Sequence, residues 1–175
     1  KLRILVIDDN QENLDAAKEQ LGEDHEVMVA LTLNEAERWI NNPDDNDLKY
    51  HSLHYFREGE PLFDVLLTDL LMPTDTGGLG GDEVVDKYKN QEIPYGIIFV
   101  LGAMRRGVKF IGINSNGGHH DHPMLWAMDM IGFYGREVSK IGEITFICGS
   151  FMLIKDNHFT DVKDWKWILN ELIEN

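Results

Sequence analysis

Apolar residues in the first third of the chain fall alternately into short unbroken runs and into spaced single positions. Ile4-Leu5-Val6-Ile7 is unbroken and stops at Asp8-Asp9, which predicts a buried strand over residues 3–8. From Asn10 to Leu21 the pattern thins to Leu14, Ala17 and Leu21, one face of a helix, with Asn10 as N-cap and Gly22 as stop. Glu26 to Ala30 predicts a second strand. Thr32 and Glu35 have capping-box spacing and open a second helix, which carries Ala36, Trp39 and Ile40 and ends near Asn41-Asn42-Pro43. Val65 to Thr68 predicts a third strand, closed by Asp69. Strands alternating with helices imply a doubly wound parallel sheet.

Beyond this frame the pattern loosens. Residues 42–62 exceed the usual connection of about 2–6 residues and read as an insertion with an aromatic-rich second half (Tyr50, Tyr55, Phe56). Residues 74–81 form a glycine-rich loop, and Asp82 caps a helix from Glu83 to Lys89. Ile97 to Leu101 reads as the fourth strand and Val108 to Ile113 as the fifth. Pro123 opens a short helix through Met130. Ile144–Ile147 and Phe151–Ile154 flank Cys148-Gly149-Ser150 as a hairpin or bent strand pair, and Asp161 caps a last helix, Val162 to Ile173, with Trp165, Ile168, Leu169 and Leu172 inward. The expectation is one α/β domain over 1–175: a doubly wound five-stranded parallel sheet, with insertions at 42–62 and 114–157. The second of these supplies a helix and a β-hairpin before the last helix.

Composition narrows the class. A hydrophobic share of 43% supports a sizeable core. No apolar stretch approaches the roughly 18 residues that span a bilayer, and Lys1-Leu2-Arg3 runs straight into a strand with no signal-peptide pattern. Cys148 is the only cysteine, so no internal disulfide forms, and a cytoplasmic setting is expected. The net charge of −15 argues against direct contact with nucleic acid, which needs a basic footprint.

The candidate chemistry lies at strand ends. In an open parallel sheet, ligands collect beyond the carboxyl ends of the strands. Strands ending at Asp8-Asp9 and at Asp69 would gather three carboxylates there. Like charges that close repel unless a cation binds or a proton stays on. Hard oxygen ligands of this kind suit Mg²⁺.

Ile7-Asp8-Asp9-Asn10 and Leu67-Thr68-Asp69-Leu70-Leu71-Met72-Pro73 resemble the receiver domain of two-component response regulators, a flavodoxin-like fold. The resemblance covers about the first 40 residues and Phe63 to Val85. It implies that Asp8, Asp9, Asp69 and the Leu71 backbone carbonyl hold Mg²⁺, and that Asp69 accepts a phosphoryl group from a sensor histidine kinase. It further implies a signalling domain rather than an enzyme, one that passes its state to a downstream protein partner, with no part for nucleic acid or membrane.

Two positions depart from the family. It carries Ser or Thr after the fourth strand, where this reading places Gly102 and Ala103, and Lys-Pro after the fifth, where it places Asn114-Ser115-Asn116. Candidate replacements for those phosphoryl contacts are Asn114, Ser115, His120 and Lys155, with Arg105 and Lys109 as further candidates for the cation. The cluster His119-His120-Asp121-His122 reads either as a transition-metal site or as a polar loop capping the helix at Pro123. Cys148, in an apolar context, reads as a small buried hydrophobe. Because of the two departures, a phosphorylation-independent pseudo-receiver, acting as a protein-interaction module, stands as the alternative. A haloacid dehalogenase-like phosphatase would need an acid two residues after Asp69, where Leu71 stands.

Overall fold

The computed structural model describes residues 1–41, 61–74, 87, 91–116 and 122–175. The glycine-rich loop beyond Thr74, all of the helix expected over 83–89 except Lys87, most of the 42–62 insertion, His119, His120 and Asp121 lie outside the described residues. The helix expected over 10–21 is α1 (Gln11–Leu21), and the one opened by Thr32 is α2 (Leu33–Asn41). Their caps form as the sequence implies. Asn10 Oδ1 accepts from Glu12 N–H, and Thr32 and Glu35 close a reciprocal capping box.

The main sheet has six strands in the order β2 (Glu26–Ala30), β1 (Arg3–Ile7), β3 (Val65–Thr68), β6 (Phe110–Asn114), β8 (Ile144–Gly149) and β7 (Ser139–Ile141). The first five are mutually parallel, and β7 is antiparallel on the outer edge. The pair β4 (Met72–Pro73) and β5 (Glu92–Ile93), and the hairpin β9 (Met152–Lys155) and β10 (His158–Lys163), form separate two-stranded sheets. Successive side chains of a strand point to opposite faces. Leu5 and Ile7 therefore join one core with residues of α2, α3 (Tyr95–Arg105) and α4 (Pro123–Met130). Ile4 and Val6 join the other, with α1 and α5 (Trp165–Glu174). This is the doubly wound α/β architecture that the pattern implies.

Several elements differ from the sequence reading. Ile97–Leu101 is not a strand; it lies inside α3. Its buried residues Gly96, Phe99, Val100 and Ala103 recur at helical spacing, and Pro94 stands at its N-cap. Gly96 allows α3 to lie on β3, since a Cβ there would fall 2.2 Å from the Asp69 carbonyl oxygen. The fourth parallel strand is therefore β6, and the fifth is β8, which the sequence reading made the first arm of a hairpin. The actual hairpin is β9–β10, turning at Asp156 and Asn157, both left-handed (φ 51 and 65). Two such residues make the mirror-image turn that matches strand twist. The last helix begins at Trp165 with Asp164 as its cap, not Asp161, because Asp164 Oδ1 accepts from Trp167 N–H. Val162 and Lys163 instead end β10.

Candidate functional site

Strand register builds the site. Ile7 pairs with Thr68 across β1 and β3, so Asp8 and Asp69 leave the sheet side by side at the point where the strand order reverses. Asp8, Asp9 and Asp69 each offer a carboxylate oxygen, all within 4.8 Å of one another, a cluster that could hold a metal ion. Asp8 and Asp69 are buried, and Asp9 is exposed at the mouth.

The sequence reading missed the cation of this site. Lys163, fully buried, places Nζ 2.6 Å from Asp8 Oδ2 and 2.8 Å from Asp69 Oδ2. It arrives from the returning strand of the β9–β10 hairpin. One foot of that hairpin is held by Asn114, whose amide donates to the Phe151 carbonyl and accepts from Phe151 N–H, both at 2.9 Å. At the other foot Asp164 N–H donates to the Phe151 carbonyl at 2.8 Å. The register slips between Phe159 and Lys163, where Thr160 Oγ1 donates to the Leu153 carbonyl and accepts from Val162 N–H. A lysine before a capping aspartate, at the start of an amphipathic helix, was the signal available in the sequence; it reads as an ordinary solvent-facing first turn.

The remaining oxygens are also engaged. Asp8 Oδ1 accepts from Asn10 N–H (2.9 Å) and Asn13 Nδ2 (3.0 Å). Asp69 Oδ1 accepts from Leu70 N–H at 2.6 Å and from Leu71 N–H at 3.4 Å. Burial pushes the Asp69 carboxyl up to about 6; the Lys163 ammonium opposes this, and the Asp8 and Asp9 charges add to it. Burial and the Asp8 charge also raise Asp9.

The other expected contacts are placed as follows. Gly102 and Ala103 lie buried inside α3, about 9 to 10.5 Å along its axis from Gly96 at the usual helical rise, and do not follow the fourth strand. Asn114 and Ser115 occupy that position instead. Ser115 is buried, and its N–H donates to the Gly149 carbonyl at 2.9 Å, tying together the ends of the two last parallel strands. The Asn114 amide is engaged on Phe151 and does not serve as a donor to the acid cluster. Lys155 is exposed beside the hairpin turn, and Lys163 takes the place given to it. His120 lies outside the described residues, whereas His122 caps α4, its Nδ1 accepting from Met124 N–H. Cys148 is buried, and desolvation holds its thiol well above the usual range. No helix among the described residues is long and apolar enough to cross a membrane.

No protein-family model and no curated protein matches the chain. Among solved structures it is similar to the non-phosphorylated HemR receiver domain from Leptospira biflexa, at 18% identity over 75% of this chain and 77% of that one, with a TM-score of 0.41. It is also similar to a response regulator receiver domain protein from Clostridium thermocellum, at 19% identity over 99% of this chain and 95% of that one, with a TM-score of 0.45.

Proposed function

We propose that the chain is a receiver domain that takes a phosphoryl group on Asp69 from the phosphohistidine of a sensor kinase and signals its state to a protein partner. The observation that carries this reading is the Lys163 ammonium bridging Asp8 and Asp69 at the switch point of the sheet. The acid cluster alone would not distinguish a phosphoryl site from a simple cation site. A buried ammonium against the acceptor carboxylate supplies the charge-assisted donor that a phosphoryl dianion needs. Lys163 supplies a cation in place of the one the family carries after the fifth strand, although it comes from β10 and is followed by Asp164 rather than Pro, and Ser115 offers a hydroxyl after the fourth strand.

The acid cluster fits Mg²⁺. Three carboxylates against one ammonium leave a formal excess of two negative charges, and Asp9 faces the opening. Asp8, Asp9, Asp69 and the Leu71 carbonyl would hold the ion, and when bound it would neutralise charge on the transferring phosphoryl group. The protein's own part is positioning. The N–H groups of Leu70 and Leu71 orient Asp69, and Lys163 favours its ionised form. An ionised Asp69 oxygen bonds to phosphorus as the P–N bond to the donor imidazole breaks. The bonding pair leaves with the imidazole nitrogen, which takes a proton from solvent. Lys163 is then placed to pair with the phosphoryl oxygens.

Acetyl phosphate with Mg²⁺ tests the reading. Mass spectrometry is expected to find one added phosphoryl group, absent from Asp69→Asn. Modification that survives in the variant moves the chemistry elsewhere. An inert wild type favours a docking module that needs no phosphorylation, a second reading supported by Lys163 already compensating the buried carboxylates.

A further inference from the structure

Asn13 is buried in the first turn of α1, on the same helix face as Leu14, Ala17 and Leu21. An apolar side chain is the expected occupant of a buried position on that face. Its amide is nonetheless satisfied at both ends. Nδ2 donates to Asp8 Oδ1 at 3.0 Å, and Oδ1 accepts from Lys163 N–H at 3.2 Å. Its backbone carbonyl accepts from Trp165 Nε1 at 2.9 Å, and the Trp165 ring lies 5.5 Å from the Lys163 ammonium.

We infer that Asn13 is a positioning residue, which fixes the Lys163 ammonium against the Asp8–Asp69 pair by holding the Lys163 backbone and the Asp8 carboxylate in one grip. Two features of the fold leave the reach of Lys163 to contacts from outside its hairpin. Lys163 ends a hairpin that stands outside the main sheet and pairs only with itself. Its register also slips just before Lys163, so strand pairing alone does not set how far the lysine reaches. Asn13 and Gln20 hold the Lys163 backbone from α1, the helix that follows the acid pair. Gln20 Nε2 donates to the Lys163 carbonyl at 2.9 Å, and of the two only Asn13 also bonds Asp8. Turning Asp8 so that Oδ1 faces Asn13 leaves Oδ2 for the ammonium.

The effect on phosphoryl transfer rests on the proposed receiver function; the effect on the lysine does not. In nitrogen-15-labelled protein, the buried Lys163 ammonium is expected to give a slowly exchanging resonance that Lys163→Met removes. Asn13→Ala should broaden or abolish it while the dispersed amide spectrum is retained; an unchanged resonance overturns the inference. Should Asn13→Ala fail to fold, Asn13→Leu is read the same way, because it fills the buried space and offers neither the donor to Asp8 nor the acceptor for Lys163 N–H. With acetyl phosphate and saturating Mg²⁺, Asn13→Ala is expected to slow phosphorylation about tenfold, and to slow Lys163→Met by less than twofold. Multiplying effects would mean that Asn13 acts independently of the lysine, which also overturns the inference. If the wild type takes up no phosphoryl group, the receiver reading fails, and the ammonium resonance still decides the role of Asn13.

Discussion

The Lys163 Nζ lies 2.6 Å from Asp8 Oδ2, with both side chains fully buried and 155 positions apart in the chain. A buried ion pair is costly to break, because the partner left behind keeps its desolvation penalty and loses its compensation. Lys163→Met leaves Asp8 and Asp69 facing each other without an ammonium. Urea unfolding of the metal-free protein near pH 7.5 is expected to show a loss of about 3–5 kcal/mol. Millimolar Mg²⁺ should recover part of it. A loss below about 1 kcal/mol, the range of surface pairs, would contradict the burial of this pair.

Asp69 makes the stability of the protein depend on pH. Its carboxyl is raised from 3.8 to about 6, so between those values the folded state binds more protons than the unfolded one. Its contribution to stability is complete below about 4 and is lost as pH rises through about 6. Asparagine resembles the protonated acid at every pH. Metal-free Asp69→Asn should therefore exceed wild type by on the order of 1–3 kcal/mol at pH 7.5, with the margin shrinking toward pH 4. Chemical unfolding at both pH values checks this, and a margin independent of pH counts against the assigned shift.

Asp9 is the exposed member of the acid cluster, and the Lys163 ammonium, which bonds Asp8 and Asp69, acts on it only through space. Asp9→Asn should leave the folded protein almost unchanged in stability and weaken Mg²⁺ binding at least tenfold, about 1.4 kcal/mol. Titration followed by Trp fluorescence or calorimetry gives the affinity. An unchanged value would remove Asp9 from the ligand set.

Gly96 provides a purely steric test. A methyl group there would sit 2.2 Å from the Asp69 carbonyl oxygen and 2.8 Å from Leu70 Cα, both of them backbone atoms. The strain cannot be relieved by turning a side chain, so α3 or the acceptor strand must move. Gly96→Ala is expected to destabilise by about 1–3 kcal/mol and to slow Asp69 phosphorylation. Wild-type stability in this variant would show that α3 tolerates a wider separation.

Local pattern alone was enough to locate the acid cluster and the first half of the fold. An unbroken β-branched run ending in acids, followed by spaced apolar residues behind an Asn cap, has one economical reading, because a strand repeats every two residues and a helix every 3.6. The capping box at Thr32 and Glu35 is equally local, since its partners lie three residues apart. Tertiary structure decided the rest. Ile97–Leu101 is apolar throughout, and a short run of that kind carries no period; helix and strand separate only once packing buries Gly96, Phe99, Val100 and Ala103 and leaves Ile98 and Leu101 exposed. Once that element became α3, each later strand moved back one place, and Ser115 came to stand after the fourth strand. Lys163 was the least legible residue of all. Its role depends on a hairpin whose length and register slip carry it to Asp8 and Asp69, and a contact across 155 positions leaves no periodic trace in the sequence.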